Sequence, residues 1–225
     1  MPLNISKVGK ILKTLNRVHT TSEFNSTLPV KITVKQELSP IRYLIDLGKK
    51  EIETKSNYPL IVGKKYFAQL KEFNTKIQIS NLREIPKIAE MLEKIEFKDK
   101  IIHFTKQETL HHLANANNKL EFVFYTNILL ALNEKIHHLI INEKKKALMQ
   151  YKYQKNRVKF YALFNHLGEI EGEITTDTLS IYSPYDATLN LINRYAHELN
   201  LKLILTKKEV KPFVNFENNL LNIKA

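Results

Sequence analysis

The feature that most constrains the fold is a run of alternating polarity from Arg157 to Glu173. Apolar residues occupy every second position from Val158 to Phe164, which is the pattern of a β-strand with one buried face. Leu167 and Gly168 interrupt the alternation, which resumes through Ile170–Ile174. Glycine adopts backbone conformations that other residues resist, so Gly168 is suited to a turn. The run therefore predicts two strands joined at Leu167-Gly168.

The residues that follow predict a third strand, a helix and a last strand. Residues 179–182 are strand-like, and residues 183–186 (Ser-Pro-Tyr-Asp) provide the hydroxyl, proline and carboxylate that favour a helix start. Apolar residues then recur at helical spacing at Leu189, Ile192, Ala196 and Leu199. Residues 201–206 form another apolar run. The C-terminal part is therefore predicted to be an antiparallel sheet with one packed helix.

Residues 28–82 predict a small β-barrel. The span contains five short strand-like stretches separated by turn sequences. This spacing is typical of a five-stranded barrel of OB or SH3-like type. We expect its core to include Val30, Ile32, Leu44 and Ile79.

Helices are predicted between the barrel and the sheet. Thr105 and Glu108 have the spacing of a capping box, and residues 119–133 are apolar on most faces, as in a helix buried between two layers. Residues 3–18 predict an amphipathic helix, which we expect to dock loosely, with membrane-surface or partner binding as the alternative. The chain is thus predicted to be α+β, with an N-terminal helix and linker (1–27), a barrel (28–83), a helical segment (84–134) and a C-terminal α+β domain (135–225).

No pattern in the sequence points to catalysis or to a metal site. The 225 residues include no cysteine, and no nucleophile motif, phosphate-binding loop or metal-binding loop occurs. Neighbouring helical residues point about 100° apart, so neither His111-His112 nor His137-His138 supplies two ligands from one helix face. We therefore expect no enzyme activity, no cofactor and no metal. The most apolar segment, residues 120–132, is too short to span a membrane.

The net charge of +12 leaves a polyanionic partner open. Basic residues and tyrosines are interleaved between residues 144 and 159, and such a surface can hold a phosphate backbone and stack bases. The side chains concerned are Lys144, Lys145, Lys146, Tyr151, Lys152, Tyr153, Lys155 and Arg157. The same composition fits the solvated face of a sheet whose lysines prevent edge-to-edge pairing, and we favour that interpretation.

Two parts of the sequence resemble one protein family. The run ValLysPheTyrAla…HisLeuGlyGluIleGluGlyGluIle…ThrLeuAsnLeuIle, within residues 136–210, resembles the C-terminal domain of flagellar hook-length control proteins. That family often has a proline three residues before the leucine of its Leu-Gly motif, where this chain has Phe164. The run LeuGlyLysLysGluIleGluThrLysSer…ProLeuIleValGlyLysLysTyr is similar to a small β-barrel that precedes this domain in such proteins.

The resemblance implies a non-enzymatic component of the flagellar type III export system. In that family the C-terminal domain contacts the export gate and switches the exported class from rod and hook subunits to filament subunits. The implied location is cytoplasmic, with export through the apparatus left open. The implied partner-binding surface is Leu167, Gly168, Glu169, Ile170 and Glu171. About 27 residues precede the first predicted strand, reaching at most about 95 Å, which is too little for a length ruler. Either the chain is a shortened relative that keeps the switching half, or the resemblance reports the fold and not the role.

The glutamates of this surface alternate with isoleucines, so we expect Glu169 and Glu171 to be exposed. Replacing both by lysine should then leave the melting temperature nearly unchanged. The alternative function is a nucleic-acid-binding protein that uses a basic OB-like barrel and the Lys/Tyr-rich strand. The sequence does not determine the oligomeric state.

Overall fold

The computed structural model describes residues 5–17, 28–48, 50–73, 76–143, 146–199 and 201–216, with side chains for all of these except 5–7 and 71–77. In these ranges a first helix, α1 (Ile5–Arg17), is followed by a closed five-stranded barrel, further helices and a seven-stranded sheet. This is the predicted α+β class with a small N-terminal barrel.

The barrel occupies the region that the sequence assigns to it. Its strands are β1 (Val30–Ser39), β2 (Arg42–Leu47), β3 (Lys50–Lys55), β4 (Lys65–Phe73) and β5 (Lys76–Glu84). The order is β1-β2-β3-β5-β4, and β1 closes the barrel by pairing with β4. β3 pairs with β5 in parallel and the other pairs are antiparallel. This arrangement is that of an OB-type barrel.

The barrel core confirms Ile32 and Ile79 as core residues and corrects the prediction for Leu44. Tyr43 and Ile45, the neighbours of Leu44 on β2, are the residues that point inward. Side chains alternate along a strand, so an error of one residue exchanges its two faces. Leu44 therefore lies on the outer face of the barrel.

Three helices follow the barrel where the sequence predicts them: α2 (Lys87–Lys94), α3 (Lys106–Ala114) and α4 (Lys119–Asn133). The Thr105 hydroxyl accepts a hydrogen bond from the Glu108 backbone N–H, and the Glu108 carboxylate accepts one from the Thr105 N–H. This is the predicted capping box. The expectation that α4 is enclosed between two layers is wrong, because Phe122 and Leu130 are about half exposed.

The sheet contains seven strands in the order β12-β11-β10-β9-β8-β7-β6. They are β6 (Ile101–His103), β7 (His137–Ile141), β8 (Ala147–Gln154), β9 (Arg157–Phe164), β10 (Gly168–Ile174), β11 (Thr178–Ser183) and β12 (Lys202–Lys207). Helices α5 (Asp186–Arg194) and α6 (Ala196–Leu199) connect β11 to β12, which pair in parallel, and the other pairs are antiparallel. β6 lies inside the segment predicted to be helical, so the sheet extends beyond the expected boundary at residue 135.

Both faces of the sheet are covered, whereas the sequence predicts one packed helix. On one face, the α1 face, helices α1, α5 and α6 pack over residues such as Phe160 and Ile170. On the other, the barrel face, the barrel, α2 and α4 pack over residues such as Tyr161 and Leu163. None of the described helices combines the length and the apolar composition of a membrane span.

α1 belongs to the core, and the expectation of loose docking is wrong. Val8, Leu12 and Leu15 are at most 1% exposed. A Cβ atom on Gly9 would lie 3.9 Å from the side chain of Leu139, so the helix packs directly on β7. The apolar stripe of α1 therefore has a fixed partner, which is the α1 face of the sheet.

Candidate interaction surfaces

The turn at Gly168 has the geometry that its sequence predicts. Its φ is +70°, in the left-handed region that glycine occupies at little cost. A Cβ atom there would lie 3.0 Å from the side chains of Pro29 and Tyr185. Pro29 precedes the barrel and Tyr185 precedes α5, so the turn is enclosed where the barrel meets the sheet.

The segment expected to bind a partner is mostly inside the protein. Leu167, Gly168, Glu169 and Ile170 are buried, and Glu171 is partly exposed. The expected exposure of Glu169 is wrong, since its side chain is only 2% exposed. The three glutamates of β10 do share one face, but the barrel covers that face beside Glu169. We therefore no longer expect a lysine to be tolerated at this position.

Glu169 is held by an arginine from the barrel. The Arg83 Nε, near the end of β5, donates to the Glu169 carboxylate at 2.6 Å, and the Tyr161 hydroxyl donates to its other oxygen at 2.8 Å. Arg83 also donates to the Glu209 carboxylate and to the Val210 carbonyl oxygen. Burial lowers the pKa of Arg83, but the hydrogen bond and charge of Glu169 outweigh it, so the pKa is raised. This network fixes the barrel to the sheet.

The tyrosines of the Lys/Tyr-rich segment do not form a stacking surface. Tyr151 is 1% exposed, and only its neighbour Tyr153 reaches solvent. Lys155 is exposed in the two-residue hairpin turn between β8 and β9. Lys144 and Lys145 lie outside the described residues.

The other basic residues of this segment have partners within the protein. Lys146 donates to two backbone carbonyls at the C-terminal end of α2, where a positive charge is favourable. Arg157 pairs with Glu173 at 3.1 Å. The Lys152 ammonium lies 4.8 Å from the centre of the Phe213 ring. These contacts favour the interpretation of this strand as a structural surface.

Residues 208–216, here called the strap, run from β12 across the barrel face of the sheet. Gln150, fully buried on β8, recognises the strap backbone. Its side-chain oxygen accepts from the N–H groups of Phe213 (2.8 Å) and Val214 (3.2 Å), and its side-chain nitrogen donates to the Val214 carbonyl oxygen (2.9 Å). The sequence analysis missed this site. The available signal was Gln150, an uncharged polar residue that follows the buried Leu148 on the same face of β8.

Two apolar side chains anchor the strap. Val210 and Phe216 are buried, and the Phe216 ring centre lies 5.6 Å from that of Phe124 on α4 and 5.5 Å from that of His138. Burial lowers the pKa of His138 to about 3, so this histidine is neutral at neutral pH. Among the described residues the strap thus joins α4 to the barrel side of the sheet.

A cluster of histidines and tyrosine lies at one end of the α1 face. The His137 ring centre is 5.2 Å from that of Tyr151 and 6.3 Å from that of His103, and the His103 Nε2 contacts the Tyr151 hydroxyl. Burial lowers the pKa of both histidines. Throughout the described ranges, no three His, Asp or Glu side chains are grouped so that they could hold a metal ion.

The outer end of the barrel carries an exposed apolar surface, here called the platform. Its members are large apolar side chains at the end of β1, in the β1–β2 turn and in the β3–β4 loop, each 45–67% exposed: Leu38, Ile41, Tyr58, Ile61 and Val62. No described helix or sheet strand outside the barrel has a recorded hydrogen bond to these two segments.

Hydrogen bonds from the barrel hold the platform in place. The Tyr43 hydroxyl donates to the Pro40 carbonyl oxygen and accepts from the Leu60 N–H, both at 3.2 Å, so one phenol joins the two segments. The Tyr66 hydroxyl accepts from the Ile61 N–H at 3.2 Å. Leu60 itself is buried in the barrel core. The platform is therefore a preformed surface.

The outer face of β2 and β3 is the surface with which many OB-type barrels bind nucleic acids. Two ion pairs lie on or beside this face. Arg42 lies 3.1 Å from Glu53, and Lys35, on neighbouring β1, lies 3.5 Å from Asp46. The aromatic residue of β2, Tyr43, points into the barrel. Among the described residues of β2 and β3, Lys55 is exposed without a recorded ion pair, but no aromatic ring is exposed. Binding of single-stranded nucleic acids depends on such rings as well as on basic groups.

Comparison with protein-family models, curated proteins and solved structures found no match to this chain.

Proposed function

We propose that this protein is a non-enzymatic binding component of a flagellar type III export system, which contacts the export gate and takes part in switching the exported substrate class. The observation that carries the proposal is the order of two resembling regions: a small barrel, then a sheet with a Leu-Gly turn, as in hook-length control proteins. The closed barrel over the first region and the positive φ of Gly168 in the second are consistent with it.

The platform is the surface that we assign to the gate. Its five apolar side chains expose on the order of a few hundred Å², comparable to the largest apolar patch on a typical monomer. A stable dimer buries about 800 Å² per partner, so the platform suits a transient apolar contact with a different protein. Because the loops are already held by Tyr43 and Tyr66, binding loses little conformational entropy there.

The buried Arg83–Glu169 pair gives this contact a mechanical role. It ties the barrel to the sheet, so a gate protein bound at the platform is held at a fixed position relative to the sheet domain. Recognition of this kind needs no bond to be made or broken. The exported substrate class would then depend on which partner protein occupies the platform.

The experiment is capture of the purified cytoplasmic part of the export gate by the full chain, together with filament-subunit export in cells. The test variant is Ile41→Ser with Ile61→Ser. Both side chains are about half exposed, so we expect a change in folding stability below about 1 kcal/mol but a loss of gate capture and of filament export. The matched control is Leu110→Ser with Leu130→Ser, two similarly exposed leucines on α3 and α4.

The outcomes separate the function from the surface. The proposed function is refuted if the wild-type chain captures no gate protein and cells that lack the chain export filament subunits normally. Gate capture that the platform variant retains at wild-type affinity refutes only the platform as the contact.

The alternative of nucleic-acid binding has one observation in its favour. A cleft of about 360 Å³ between α1 and α6 is lined by Lys10, Lys13 and Arg17, with Glu198 as its acidic residue. Among the described residues these three cations have no ion-pair partner. Under our proposal, DNA and RNA should bind weakly and be released at moderate salt. Tight binding whose salt slope falls by about 3 in the triple glutamine variant would favour the alternative.

A further inference from the structure

We propose that the strap occupies, within its own chain, a groove that recognises an extended peptide segment of a partner protein. The inference does not depend on the flagellar assignment. It rests on the way in which Gln150, Arg83 and two apolar pockets hold residues 208–216.

The groove recognises backbone, which any extended peptide supplies. Gln150 is 0% exposed, and its amide satisfies two N–H groups and one carbonyl of the strap. The guanidinium of Arg83 donates to a further strap carbonyl, that of Val210. Buried polar groups need hydrogen-bond partners. A groove without the strap would leave the Gln150 side-chain oxygen without its two donors, whereas the side-chain nitrogen still lies 3.2 Å from His138 Nε2. An extended segment that repeats these backbone contacts restores them.

The side chains of the strap define the ligand class. Val210 is 0% and Phe216 is 2% exposed, and they are six residues apart. Between them, Phe213 lies under the Lys152 ammonium, while Lys211 and Asn215 are exposed. The fitting ligand is therefore an extended segment with a branched apolar residue, an aromatic residue six positions later and a further ring between them. The residues at the two outward positions are free to vary.

The strap is attached to the sheet without strand pairing. In the described part of the chain, no backbone–backbone hydrogen bond is recorded for residues 209–216, whereas Lys208 N–H still donates to the Ser183 carbonyl oxygen. The strap is thus held by side-chain contacts instead of a strand ladder, and these include the hydrogen bonds of Gln150 and Arg83, the Lys208–Glu171 ion pair and two apolar anchors. Segments with few backbone ladder bonds open locally at lower free energy than core strands. A partner segment can enter when the strap leaves.

The first test uses the wild-type full chain and amide hydrogen exchange. The N–H groups of Phe213 and Val214 donate to Gln150, and that of Ala162 belongs to the central strand β9. We expect Phe213 and Val214 to exchange at least 100-fold faster than Ala162. Exchange of all three at one rate would mean that the strap opens only with global unfolding, and that result overturns the proposal.

The second test measures binding of a fluorescent peptide with the sequence of residues 207–216. In the wild type the tethered strap competes at high effective concentration, so we expect weak binding. In the full-length variant Val210→Ala with Phe216→Ala the strap is loosened, and we expect at least tenfold tighter binding. Adding Gln150→Leu to that variant should abolish this gain in affinity. The matched control ligand is the same peptide with alanine in place of Phe216.

Equal, weak binding by the wild type and the loosened variant, with both folded by circular dichroism, overturns the proposal. If the double alanine variant does not fold, Phe216→Leu replaces it, because leucine keeps apolar volume in the core but loses the ring contacts with Phe124 and His138. A complex with the control peptide that is as tight as that with the strap peptide, or tighter, would also refute the groove, since the anchor would then contribute no affinity.

Discussion

Replacing Arg83 by methionine should destabilise the folded protein by about 2–3 kcal/mol. Glu169 is 2% exposed, and Arg83 Nε donates to its carboxylate at 2.6 Å. Removing one partner of a fully buried ion pair costs about 3–5 kcal/mol, because the remaining charge is left uncompensated. Two features place this site below that range: the Tyr161 hydroxyl still donates to Glu169, and Arg83 itself is 19% exposed.

Urea unfolding of the full chain, followed by circular dichroism, measures this free energy. The matched control is Arg42→Met, which breaks the 3.1 Å pair with Glu53 at positions about half exposed. Pairs of that kind contribute about 0–1 kcal/mol, so its unfolding midpoint should barely change. The double variant Arg83→Met with Glu169→Gln should recover at least about 1 kcal/mol relative to Arg83→Met alone, because no uncompensated charge then remains buried.

Equal effects of Arg83→Met and Arg42→Met would refute this reasoning. They would mean that Glu169 is solvated in solution and that the barrel does not cover it. An absence of recovery in the double variant would instead assign the loss to the packing of the arginine side chain and not to the charge.

Three further predictions concern single positions. Gly168→Val should cost more than about 1 kcal/mol, because φ is +70° and the new Cβ would lie 3.0 Å from Tyr185; an unchanged urea midpoint would contradict this. His138 has a pKa of about 3 in the fold and 6.5 when unfolded. Between pH 6.5 and 3 this histidine is therefore protonated in the unfolded chain and neutral in the folded one. Its contribution to the free energy of unfolding is fully present above pH 6.5. That free energy should fall by up to about 1.4 kcal/mol per pH unit as the pH decreases towards 3. A His138→Gln variant with the same slope would exclude this histidine. Tyr43→Phe should cost about 1–3 kcal/mol, because the buried Leu60 N–H loses its acceptor, and unchanged exchange of that amide would contradict the assignment.

The sequence predicts those parts of the fold that depend on neighbouring residues. The Thr105–Glu108 capping box, the bounds of α4 and the positive φ of Gly168 all follow from short patterns, and the structure confirms each of them. The error at Leu44 is of the same local kind. Tyrosine has a polar end, yet Tyr43 points inward because its hydroxyl finds acceptor and donor groups inside the barrel.

What covers each surface could not be predicted, because the covering residues are distant in sequence. Alternation on β10 identifies the face of Glu169, but its partner Arg83 lies 86 residues earlier. Gln150 and the strap residues that it contacts, Phe213 and Val214, are more than 60 residues apart. Without knowledge of how the barrel packs, a glutamate on an alternating strand has the pattern of an exposed residue. The platform was not predicted, because apolar residues in a barrel sequence have the pattern of core residues whether they are buried or exposed.

Arg83 links barrel attachment to occupancy of the groove. Its guanidinium donates to Glu169 on the sheet and to Glu209 and Val210 of the strap. Departure of the strap removes two of these acceptors and leaves one, so the barrel stays attached but less firmly. Coupling between two equilibria is reciprocal; hence Arg83→Met, in the loosened Val210→Ala and Phe216→Ala background, should weaken binding of the strap peptide. In the same background with Arg83 intact, saturating peptide should raise the urea midpoint for the barrel and the sheet together. Peptide affinity that is independent of Arg83, measured on folded protein, would show that the guanidinium contributes only to the barrel–sheet contact.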